Sequence, residues 1–120
     1  MNRLLVVDDD ADFLDSLREC LESEGFFVHA ARDGDEALRT LQKIPRPNVI
    51  LLDLVMNKMG GTEFLIALRD KPQWRSLPVV TMSTFWREWA APRLGNAAFL
   101  AKPFEVRQLL EVLGTLGVHA

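Results

Sequence analysis

The chain reads as an α/β domain built on a single doubly wound parallel sheet, and three observations predict it. Short apolar runs alternate with stretches of helical periodicity, the pattern of βα units. Four of those runs end in a polar group: Leu4–Val7 at Asp8-Asp9-Asp10, Val49–Leu52 at Asp53, Val79–Met82 at Ser83, and Phe99–Ala101 at Lys102-Pro103. The length, 120 residues, fits one domain with no linker or repeat dividing it. In an open parallel sheet the carboxyl ends of the strands line one crevice, where ligands bind. Asp8, Asp9, Asp53, Ser83 and Lys102 are therefore expected to converge.

The elements follow in order. Strand one is expected over Arg3–Asp8. The next helix carries Phe13, Leu14, Leu17, Cys20 and Leu21 on one stripe. Asp10 is placed to cap its start and Gly25 its end. Phe26–Ala30 reads as strand two. Asp33 can cap a second helix with Ala37, Leu38 and Leu41 inward, stopped by Pro45 and Pro47. Strand three, Val49–Asp53, is wholly apolar before its aspartate, as a central strand covered on both faces would be. Gly60-Gly61 leads to Thr62, the expected cap of a third helix running to about Arg69. Pro72 and Pro78 bound a loop carrying Trp74. Strand four is Val79–Ser83. Residues 85–94 give a weak helix pattern broken by Pro92. Ala97–Ala101 reads as strand five, and Glu105–Leu113 as the last helix. Right-handed crossovers put helices on both faces and favour strand order 2-1-3-4-5, with the switch point between strands one and three.

Composition narrows the function classes. Apolar content of 48% and charged content of 26% are ordinary for a soluble globular domain. The net charge of −3 and the lack of a basic run argue against a nucleic-acid surface. No stretch is long and apolar enough for a signal peptide or membrane span. The single cysteine, Cys20, cannot form an internal disulfide, which suits a cytoplasmic location. Its periodicity makes it a small residue on the buried helix face. His29 and His119 have no ligand-like spacing and read as surface residues. Phe13 and Phe64 read as core.

The predicted cluster has a definite chemistry. Carboxylates crowded at one point repel, and a hard divalent cation relieves this; Mg²⁺ prefers such oxygen ligands. Asp10 is better read as a helix cap than as a ligand. A carboxylate such as Asp53 can act as a nucleophile toward a phosphoryl group. Lys102 can neutralise phosphate oxygens, and the Ser83 hydroxyl can donate to one.

Together these motifs resemble the receiver domain of two-component response regulators over essentially the whole chain, residues 1–120. The matching segments are Val6-Val7-Asp8-Asp9; Leu52-Asp53-Leu54-Val55-Met56 with Met59 and Gly61; Pro78-Val79-Val80 leading to Ser83; and Gly95 through Phe99-Leu100-Ala101-Lys102-Pro103-Phe104. The resemblance implies a flavodoxin-like fold with the same strand order. It also implies phosphorylation of Asp53 by a phosphohistidine donor, on a sensor histidine kinase or a histidine phosphotransfer protein. Asp9 and Asp53 would hold Mg²⁺ with the Val55 backbone carbonyl, Asp8 acting largely through water. Ser83 would be the switch hydroxyl, Phe99 the switch aromatic, and Lys102 the phosphate-contacting lysine. The Lys102-Pro103 peptide is expected to be cis. Such a domain is no enzyme toward outside substrates, and it signals to a downstream protein whose identity the sequence does not carry.

The departures from the family pattern are local. Asn57 stands where proline is usual, and Gly60 where a small polar or acidic residue is common. The interval from Ser83 to Lys102 is about one helical turn short. It contains Trp86, Trp89 and Pro92, so the fourth helix is expected to be shortened or distorted. The resemblance implies that Val55 and Phe85 would flank the approach of hydrolytic water, and neither side chain can orient it by hydrogen bonding. Two other readings stay open: a receiver-like interaction module independent of phosphorylation, and a Mg²⁺-dependent phosphohydrolase, disfavoured because its loop lacks a second acid.

Overall fold

The computed structural model describes residues 2–54, 56, 59–84 and 98–120. Its strands are β1 (Arg3–Val7), β2 (Phe27–Ala31), β3 (Val49–Asp53), β4 (Val79–Ser83) and β5 (Ala98–Ala101). Its helices are α1 (Ala11–Ser23), α2 (Gly34–Leu41), α3 (Gly61–Asp70) and α4 (Val106–Thr115). All strand pairings are parallel, in the order β2-β1-β3-β4-β5. This is the doubly wound sheet read from the alternation. The expected distorted helix at 85–94, with Trp86 and Trp89, lies outside the described residues. So do Val55, Asn57 and Phe85.

Alternation along each strand divides the core between the two sheet faces. Leu4, Val6, Val49, Leu51, Val80 and Met82 point toward α1 and α4, whose Leu14, Leu17, Leu21, Leu109 and Leu113 complete that layer. Leu5, Val7, Ile50, Leu52 and Val79 point the other way, onto Ala37 and Leu41 of α2 and Phe64, Leu65 and Leu68 of α3. Trp74 fills the same layer from the loop after α3. β3 and β4 are buried along their whole length, as central strands must be.

Asp10 caps α1 by accepting from the Phe13 N–H at 3.1 Å. Asp33 caps α2 through the Glu36 N–H at 2.8 Å. Gly25 follows the α1 C-cap with φ of 104°, a conformation open chiefly to glycine.

Three expectations need correction. The α3 cap is Gly60, not Thr62. Thr62 lies inside the first turn, while Glu63 Oε1 accepts from the Gly60 N–H at 3.4 Å. Cys20 is exposed. It sits roughly 90° around α1 from the centre of the Leu14, Leu17 and Leu21 stripe, at 100° per residue. His29 is half-buried and takes a hydrogen bond from the Arg3 guanidinium at 2.8 Å.

Candidate functional site

The carboxyl ends of β1, β3, β4 and β5 meet at one place, because the parallel register brings them level. Val7 pairs with Leu52, Asp53 with Met82, and Ser83 with Ala101. The residues that end β3 and β4, Asp53 and Ser83, therefore share one rim with those that follow β1 and β5, Asp8 and Lys102. Backbone bonds extend the ladder into the loops: Asp8 N–H donates to the Ala31 carbonyl, Leu54 N–H to Met82, and Lys102 N–H to Ser83.

Asp8 and Asp53 are buried acids, and Asp9 is half-exposed beside them. One carboxylate oxygen from each lies within 4.8 Å of the other two. The Lys102 ammonium reaches into the cluster, 2.6 Å from Asp8 Oδ2 and 3.5 Å from Asp53 Oδ2. Asp8 Oδ1 also accepts from the Asp10 N–H at 2.9 Å. Both Asp8 oxygens are thus engaged, which is how a fully buried carboxylate is tolerated. Ser83 is buried on the same rim. Phe99 lies half-buried on β5, and the Lys102-Pro103 peptide is cis.

Three carboxylates and one ammonium leave the pocket with an excess of two negative charges. Clustered oxygen donors of this kind fit a divalent hard cation such as Mg²⁺. The Val55 carbonyl, expected as a further ligand, lies outside the described residues.

One neighbour of the pocket escaped the sequence reading. The Lys102 ammonium lies over the Phe13 ring, 4.2 Å from its centroid. Phe13 in turn meets Phe104 edge-on, with centroids 6.0 Å apart and an interplanar angle of 88°. Periodicity gave Phe13 a core role. Its contact with a lysine from the far end of the chain has no local signature.

Comparison with known proteins places the chain. Residues 4–114 match the response regulator receiver domain. A 14.6 kDa protein of Leptolyngbya boryana is 35% identical, over 92% of this chain and 86% of its own length. The transcriptional regulatory protein CpxR of Escherichia coli is 38% identical over 92% of this chain, which spans 47% of CpxR. The chemotaxis response regulator CheY4 of Vibrio cholerae superposes with a TM-score of 0.88 at 32% identity, covering 97% of this chain and 98% of that one. The strand order, the acid and lysine rim and these matches have one reading: the chain belongs to the response regulator receiver domain family, the phosphorylation-controlled modules of two-component signalling.

Proposed function

We propose that Asp53 accepts the phosphoryl group, with Mg²⁺ held by Asp9 and Asp53 and, through water, by Asp8. The observation that carries this reading is the Asp8, Asp9 and Asp53 cluster with Lys102 inside it. A bound Mg²⁺ would supply charge neutralisation for phosphoryl oxygens. The chain's own residues do the rest. An Asp53 carboxylate oxygen attacks phosphorus in line. The new O–P bond forms as the N–P bond to the donor imidazole breaks, and that nitrogen keeps the electron pair and takes up a proton. Lys102 moves its charge from the carboxylates to a phosphoryl oxygen. The Ser83 hydroxyl donates to another, and Phe99 follows that shift as the switch aromatic.

The donor in this reading is a sensor histidine kinase or a histidine phosphotransfer protein in the cytoplasm. The output is a protein contact that changes with phosphorylation. Turnover on outside substrates is no part of it, since the chemistry begins and ends on Asp53. Among the described residues no helix is long and apolar enough to cross a membrane.

The test is intact mass after incubation with Mg²⁺ and acetyl phosphate. One added phosphate, lost in Asp53→Asn and in chelator, supports the reading. An unchanged mass favours a phosphorylation-independent module. Donor consumption far beyond one equivalent, with no slow self-hydrolysis to explain it, favours a hydrolase.

A further inference from the structure

We propose that Phe13 is a positioning residue for Lys102: its ring face holds the ammonium at the carboxylate cluster and sets how fast Asp53 is phosphorylated. The inference rests on the reading of Asp53 and Lys102 given above.

The Lys102 ammonium has three N–H bonds. Asp8 lies at 2.6 Å and Asp53 at 3.5 Å, and the Phe13 ring closes a third side at 4.2 Å. The lysine side chain is only 15% exposed. A cation over an aromatic face is attracted by the ring quadrupole, most strongly when water is kept out. Lysine is a point charge on a flexible stem, so its direction has to be imposed from outside.

The ring is itself fixed from two sides. Phe104 meets it edge-on, and Phe104 belongs to the same segment as Lys102. Asp10, in the acidic turn, accepts the Phe13 backbone N–H. The turn that supplies two of the three carboxylates, Asp8 and Asp9, therefore also anchors the ring that aims the lysine. A leucine here would fill much of the same space without a quadrupole. The two roles, filling and aiming, can thus be separated.

The experiment compares wild type, Phe13→Leu and Phe13→Tyr. The rate of Asp53 phosphorylation is measured at saturating acetyl phosphate with Mg²⁺, and the Lys102 ε-methylene signal is followed by NMR on lysine-labelled protein without donor. The expected result is a rate about three- to tenfold lower in Phe13→Leu, within the range of a partly shielded cation–π contact. Phe13→Tyr should restore the rate. The Lys102 signal should be shifted upfield by the ring in wild type and Phe13→Tyr, and return toward the solvent-exposed lysines in Phe13→Leu. A folded Phe13→Leu protein with the wild-type rate overturns the proposal, as does a Phe13→Tyr as slow as Phe13→Leu. If Phe13→Leu does not fold, Phe13→Met gives the same comparison. If wild type takes no phosphate on Asp53, the reading of the site fails; an NMR signal without the ring shift would separately refute the contact.

Discussion

Lys102 is closer to Asp8 than to Asp53, with its ammonium 2.6 Å from the first and 3.5 Å from the second. Asp8 is fully buried, and among the described residues its other partner is the Asp10 backbone N–H. Removing the lysine charge leaves a buried carboxylate short of a partner among two more carboxylates. Breaking a buried pair from one side costs several kcal/mol, because the remaining charge stays buried. Lys102→Met, which keeps the apolar stem, is expected to lower unfolding stability by about 3 kcal/mol in chelator. Urea unfolding with an unchanged slope is the measurement. A midpoint equal to wild type would refute the role given to this pair.

Mg²⁺ should offset part of that loss. A cation that binds the native cluster and not the dispersed unfolded chain stabilises by linkage, about 1.4 kcal/mol at ten times its dissociation constant. The melting temperature is expected to rise with Mg²⁺ in wild type. It should rise more in Lys102→Met, where the pocket is more negative, and less in Asp9→Ala and Asp53→Asn. Identical thermal transitions in Mg²⁺ and in chelator would count against a formed cation site.

The rim was legible in the sequence because strand ends in a parallel sheet are level. Each apolar run had only to be followed to its first polar residue, and Asp8, Asp53, Ser83 and Lys102 came together as read. Helix registers were less legible. Cys20 satisfies i, i+3 spacing from Leu17 yet falls on the flank of α1, since a stripe has width and periodicity does not mark its edge. Threonine and glycine rank about equally as caps, so side-chain preference does not choose between Thr62 and Gly60. The helix begins at Gly61, where a Cβ would meet the backbone at the end of β3. The Phe13 contact with Lys102 was illegible because it is purely tertiary.

His29 gives a pH signature independent of the site. Arg3 can only donate, so the His29 Nε2 accepts and the proton of the neutral ring sits on Nδ1. Burial first, then the charges of Arg3 and Arg18, push its pKa below the ordinary 6.5. Below pH 6.5 the unfolded chain takes up a proton that the folded chain refuses. The His29 contribution to stability therefore falls as pH drops from 6.5 to the folded pKa, and is level below that. Unfolding of wild type and His29→Gln across pH 5 to 8 is the check. The difference between the two curves should shrink in that interval as pH falls, and parallel curves would refute the linkage.

Gly60 and Gly61 are neighbours with opposite requirements. A Cβ at Gly61 would lie 2.5 Å from the Asp53 carbonyl oxygen and 2.6 Å from the Leu54 Cα. Both are backbone atoms at the end of β3, so they cannot swing aside as a side chain would. Gly61→Ala is expected to cost about 1–3 kcal/mol, the range for forcing atoms into a packed site. Because the displaced backbone carries Asp53, the rate of Asp53 phosphorylation should fall as well. At Gly60 the nearest atom to a new Cβ, among the described residues, is a Glu63 carboxylate oxygen at 3.8 Å. The backbone there, φ −69° and ψ 168°, is ordinary for an N-cap residue. Gly60→Ser adds a capping hydroxyl and restricts the unfolded chain, which together are expected to stabilise by about 0.5–1 kcal/mol. Urea unfolding of both variants beside wild type gives the two signs. If both substitutions destabilise equally, the close approach of α3 to β3 is not what selects glycine at position 61.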